Sequence, residues 1–146
     1  MKRYYFIKEA INDILIKNNG LEHSANVANM AFFFAKLKNL DLELAAIIGI
    51  CHDLATYRFK SGFDHANRSS MLAREILTNS NLFNHDEIIL ITTAIKNHSF
   101  KDRIDDEYSE LIKDADLIVQ YLNEPNVSFS KEKQRRLNNI FKTFNK

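Results

Sequence analysis

Four histidines, His23, His52, His65 and His98, lie on or at the end of apolar stripes, and aspartates stand at Asp53 and at either Asp114 or Asp116. Imidazole nitrogens and carboxylate oxygens are the donor set for manganese, iron, cobalt, nickel or zinc. Without thiolates, a closed structural zinc site is disfavoured. Each histidine alone has an ordinary explanation, a neutral ring bonded to a carbonyl in the core. Four on core-facing positions, three of them near an expected helix end, weigh more than any one. Six such ligands exceed what one ion with open positions needs. Two ions bridged by one carboxylate would use them all, and such a pair clamps a phosphoryl oxygen and lowers the pKa of bound water.

These residues need elements that bring them together. The stretch Leu42 to Leu54 (LELAAIIGICHDL) is apolar at nearly every position from Leu44 to Cys51. A helix with no polar face belongs at the centre of a fold, yet this one ends in the ionisable pair His52-Asp53, and buried charge is costly unless paired or coordinated. Asp41 is placed to cap it. The spacing predicts a first helix over about 3–18, with the stripe Ile7, Ile11, Ile14 and Leu15 stopped at Asn19-Gly20. A second helix over about 21–38 aligns His23, Val27, Met30, Phe34 and Leu37 at steps of four and three. Ala55 to Phe63 reads as a loop, because Ser61-Gly62 breaks structure. A helix over about 65–79, with Asp64 as its candidate cap, puts His65, Ser69, Leu72 and Ile76 on one face. Arg68 is one turn after His65. Asn84 and Glu87 form a capping pattern for a helix whose Ile88, Ile91, Ile95 and His98 line up, and His85 reads as a surface residue. The next helix, about 107–123, buries Tyr108, Leu111, Ile112, Ala115, Val119 and Leu122. Asp114 and Asp116 flank that stripe on opposite sides, and periodicity does not choose between them. Pro125 closes it. A last helix over about 130–144 carries Leu137, Ile140, Phe141 and Phe144 on one face. Lys131, Lys133, Arg135, Arg136 and Lys142 form a basic face read as solvated.

One proline and three glycines among 146 residues leave few turns for a strand-rich fold. The length suits one domain with a proper core. A formal charge of +1 leaves no electrostatic footprint for nucleic acid. A single cysteine, Cys51, excludes an intrachain disulfide and fits a reducing compartment. Beside His52 it invites a nucleophile reading, but a small buried apolar residue is the favoured one. The opening segment has neither the charge pattern nor the apolar run of a signal peptide or anchor. A cytoplasmic protein is expected.

The ordered set His23 in LEHSANVANMA, His52-Asp53 in AAIIGICHDLA and Asp116 in LIKDADLIVQYL resembles the HD-domain superfamily of metal-dependent phosphohydrolases, over about 21–122. The resemblance selects Asp116 over Asp114. FDHANRSSMLAREIL and AIKNHSF resemble the segments that carry two further histidines in dinuclear members, similar to the bacterial dinucleoside-tetraphosphate hydrolases. By that resemblance His23, His52, Asp53 and Asp116 hold one metal, and Asp53 bridges to a second that His65 and His98 also bind. Asp53 and His52 are the catalytic pair, and attack on phosphorus comes from a bridging hydroxide in line with the leaving oxygen. Many relatives carry a lysine three residues after the aspartate of the pair, where this chain has Thr56. Arg58, Lys60, Arg68 and Lys96 are the candidates to meet the substrate's charge instead.

The expectation is an all-α single domain, a bundle of about seven helices over 1–146. Its metal-site core runs over about 21–122, with a basic amphipathic helix at about 130–144. It hydrolyses a phosphate ester or anhydride, first choice a nucleotide, with one or two divalent ions: iron, manganese, cobalt, nickel or zinc, with magnesium as an alternative. Its partners are that small phosphorylated substrate and, as an option, a second copy of the chain in a homodimer; nucleic acid and membrane are not among them. Two rivals stand beside it: a diiron oxygenase on the same ligands, and a non-catalytic metal-stabilised nucleotide-binding module, which Thr56 keeps alive.

Overall fold

The computed structural model describes residues 1–145, and among them every regular element is helical. Nine helices follow in order: α1 (Lys2–Ala10), α2 (Asn12–Lys17), α3 (Leu21–Leu37), α4 (Leu42–Cys51), α5 (Leu54–Phe59), α6 (His65–Ser80), α7 (His85–Asn97), α8 (Glu107–Asn123) and α9 (Lys131–Phe144). The excess over about seven has two sources. The first expected helix breaks at Ile11, whose φ of −102° and ψ of 2° leave the helical region. The segment after Asp53, read as a loop, winds into the short α5 before Lys60 ends it in the left-handed region.

Helix α4 is the axis of the bundle. All residues from Leu44 to Cys51 are buried, as an all-apolar helix requires. It packs most extensively on α3, and also touches α1, α7 and α8. Gly49 permits the α3 contact: a Cβ there would stand 2.6 Å from the Cα of Ala28 and 2.8 Å from its backbone nitrogen. The Asp41 carboxylate caps α4 by accepting from the Leu44 N–H, and Asn84 with Glu87 completes a capping box on α7. Asp64 does not cap α6. It sits at φ 47° and accepts from the Asn67 side chain instead.

The stripes hold in the core and fail at some ends. Ile88, Ile91, Ile95, Leu111, Ile112 and Ala115 are buried, whereas Leu37 and Leu122 are 53% and 71% exposed. No helix among the described residues is long and apolar enough to cross a membrane.

Helix α9 docks through a cation rather than by its apolar face alone. Arg136 is not part of a solvated basic face: its side chain is 12% exposed and pairs with Glu110 at 3.1 Å and Asp114 at 3.0 Å on α8. The same guanidinium donates to the carbonyls of Lys101 and Arg103 in the segment between α7 and α8.

Candidate metal centre

The ends of four helices and the middle of a fifth region meet around Asp53. His23 comes from the first turn of α3, His52 and Asp53 follow α4, His65 begins α6, His98 ends α7, and Asp116 lies midway along α8. Each donor is where the local sequence puts it. The apolar stripe of α7 carries His98 into the core, and the end of α4 leaves His52 fully buried and its neighbour Asp53 mostly so.

On one side the Nε2 of His52 stands 3.1 Å from Oδ2 of Asp53, 3.3 Å from Oδ1 of Asp116 and 3.3 Å from Nε2 of His23. The Nε2 of His23 is 3.2 Å from the same Asp116 oxygen and 3.6 Å from Asp53 Oδ2. On the other side Oδ1 of Asp53 faces Nε2 of His98 at 3.2 Å and Nε2 of His65 at 3.6 Å. The residues form two groups, His23, His52, Asp53 and Asp116, and Asp53, His65 and His98, each with its donor atoms within 4.8 Å of one another. Asp53 belongs to both and offers each a different oxygen.

The donor chemistry fits a cation at both places. His52 Nδ1–H donates to the Gly49 carbonyl at 2.7 Å, and His98 Nδ1–H to the Ile95 carbonyl at 2.7 Å. A carbonyl only accepts, so these bonds fix a proton on Nδ1 and turn Nε2 inward, the orientation of a ligating histidine. Asp53 Oδ1 is a buried carboxylate oxygen with no hydrogen-bond donor on it, a costly state unless something positive faces it.

Electrostatics point the same way. Burial opposes charge at His52, but the charge of Asp53 and the bonds to Asp116 and Asp53 outweigh it and raise the imidazole to about 10. At His23 burial is likewise outweighed by Asp116 and Asp53, and the value rises. At His98 burial wins and the value falls. Burial also opposes the charge of both carboxyls. The histidines around Asp53, and Lys101 with the histidines around Asp116, nevertheless hold them well below the usual carboxylate range. This is a cluster whose anionic oxygens draw positive charge into a buried place.

Asp114 is not a donor. Its carboxylate bonds Arg136 and belongs to neither group, whereas Asp116 belongs to the first. His85 is exposed, as read. Cys51 is fully buried, and burial pushes its thiol up to about 12, which excludes a thiolate nucleophile. Of the four candidate cations, Arg58, Lys60 and Lys96 are exposed, and none of the four forms an ion pair with a donor among the described residues. Arg68 is half-buried: its guanidinium lies 4.2 Å over the Phe59 ring and donates to the Phe63 carbonyl.

Two residues at the centre escaped the sequence reading. Lys101 pairs with Asp116 Oδ2 at 2.8 Å; its only signal was a place three residues after His98 in a polar loop. Tyr57, in the unexpected α5, packs its ring where any side chain at Gly20 would collide. Burial first, then the charges of Asp53 and Asp116, push its phenol up to about 12, so it stays protonated. A groove of ≈ 500 Å³ contains none of the six donors but is lined by Lys101, together with Phe34, Asp114, Arg135, Arg136 and Phe144.

Residues 20–119 match the family model of the HD domain. No curated protein and no solved structure matches the chain.

Proposed function

The chain belongs to the HD-domain family, whose His/Asp clusters are typical of metal-dependent phosphohydrolases, and from that premise we propose that it hydrolyses a phosphate ester or anhydride of a nucleotide at a two-ion centre built on Asp53. The observation that carries the reading is the division of the Asp53 carboxylate, with Oδ2 toward His23 and His52 and Oδ1 toward His65 and His98. A carboxylate used in this way is a bridge. The resemblance to the dinuclear members of the family rests on the same six residues.

His23, His52, Asp53 and Asp116 would hold one divalent ion, and Asp53, His65 and His98 the other. Bound ions would supply Lewis acidity toward phosphoryl oxygens and a water of lowered pKa. The protein's own part is geometric. The carbonyls of Gly49 and Ile95 keep His52 and His98 in the tautomer that presents Nε2. Both oxygens of Asp53 would serve the ions, Oδ2 with the first and Oδ1, which has no hydrogen-bond donor on it, with the second. Arg68 is the cation we assign to the substrate's phosphate, because it lies one turn after His65 and is already held by Phe59 and Phe63. Tyr57, whose phenol is pushed up to about 12 by burial and then by the charges of Asp53 and Asp116, stays protonated near neutral pH.

The test pairs chemistry with composition. The purified chain with manganese should release phosphate from one or more nucleotides in a panel. His52→Ala and Asp53→Ala should abolish turnover and most of the bound metal, because the pair serves the first group and the bridge. Unchanged metal stoichiometry in both variants would sink the assignment.

A further inference from the structure

Among the described residues, Lys101 is the only side chain beyond the six donors that forms an ion pair with one of them. Its side chain is 7% exposed. Nζ donates to Oδ2 of Asp116 at 2.8 Å and to the carbonyl of His98 at 3.0 Å. The other oxygen of Asp116, Oδ1, is the one that faces His23 and His52. The ammonium therefore occupies one half of a carboxylate whose other half points into the candidate cation site.

We propose that Lys101 sets the charge of the centre: it competes with the cation for Asp116, holds that residue to a single inward oxygen, and leaves the loaded site more positive by one unit for an incoming phosphoryl anion. The physical ground is Coulomb's law. An ammonium hydrogen-bonded to a ligand carboxylate lies a few Å from any ion on that carboxylate's other oxygen. At the effective dielectric of a partly buried site, the repulsion between them far exceeds thermal energy. Ion affinity is thereby reduced, and attraction for an anionic substrate is increased. The second half of this statement rests on the phosphohydrolase reading above; the first half does not.

The position of Lys101 is itself built in. Arg136 of α9 donates to the Lys101 carbonyl at 3.4 and 3.3 Å and to the Arg103 carbonyl at 3.2 Å. The segment that delivers the lysine is thus fixed from a helix that lies beyond the residues matching the HD domain.

The competing explanation is a plain structural staple between the end of α7 and α8. The two differ in sign. Loss of a staple that merely orients a ligand weakens metal binding, typically by about 10–100-fold. Loss of a competing charge strengthens it. The experiment is a manganese titration of the full chain after chelator treatment, comparing wild type with Lys101→Met and Lys101→Arg. Lys101→Met should bind manganese about tenfold or more tightly and show a raised KM for an anionic phosphate substrate, and Lys101→Arg should return both toward wild type. Affinity that is unchanged or weaker in Lys101→Met overturns the proposal. If Lys101→Met does not fold, Lys101→Gln is titrated instead and judged by the same sign. A wild-type chain that hydrolyses no phosphate compound would defeat the functional reading and leave the affinity measurement to decide the role of Lys101.

Discussion

His65 and His98 face one oxygen of Asp53 and no oxygen of Asp116, so their loss should be felt by one ion only. His65→Ala and His98→Ala are each expected to lower metal content from two ions per chain to one, read by elemental analysis. A variant that retains two would show that its histidine is not a ligand. At this scale the sequence was informative where a titratable side chain interrupts an apolar stripe, as at His98 after Ile88, Ile91 and Ile95. It was uninformative where two acids flank a stripe symmetrically. Asp114 and Asp116 have equal claims by periodicity; the resemblance picks the second, and the partners separate them physically, Arg136 for the first and the histidines for the second. Lys101 was illegible for a related reason. A lysine in a polar loop reads as solvated, and what makes it otherwise is a carboxylate 15 residues on, which spacing along the chain does not reveal.

The helices that carry the donors are held by close approach, and α3 against α4 is the tightest case. At Gly49 an added methyl would meet the backbone of Ala28, which has no side-chain freedom with which to yield. Gly49→Ala should therefore destabilise the chain by about 1–3 kcal/mol, the usual cost of overpacking, and lower Tm by roughly 2–10 °C. Because the Gly49 carbonyl also receives the His52 Nδ1–H, manganese affinity should fall in the same variant. Unchanged melting would show that the two helices are not packed this closely. The long, strongly periodic elements α3, α6, α7 and α8 were readable to within a residue or two, since burial and pattern agree there. Helix α5 was not. Six residues with Arg58 near the end and Lys60 just past it carry too few turns for a period to emerge, and the winding is imposed by the neighbours of the helix, α2 and α6, and by the Ala55 N–H bond to Ser69.

Taken whole, the molecule is a helical bundle whose HD-domain segment ends before α9 begins, yet α9 reaches back to the centre through Arg136. That guanidinium joins Glu110, Asp114 and the loop that delivers Lys101. Arg136→Ala should cost roughly 1–3 kcal/mol in thermal or denaturant melts, less than the 3–5 kcal/mol of a fully buried pair because its acids are partly solvated. It should also shift manganese affinity in the direction that Lys101→Met does. A variant as stable as wild type, with unaltered affinity, would detach α9 from the centre. The central claim is that one carboxylate, Asp53, serves two cation sites. Its most direct test is anomalous scattering from crystals of the full chain grown with manganese. Two peaks are predicted, one among His23, His52 and Asp116 and one between His65 and His98, with an oxygen of Asp53 on each. A single peak, or none within reach of both Asp53 oxygens, would contradict it.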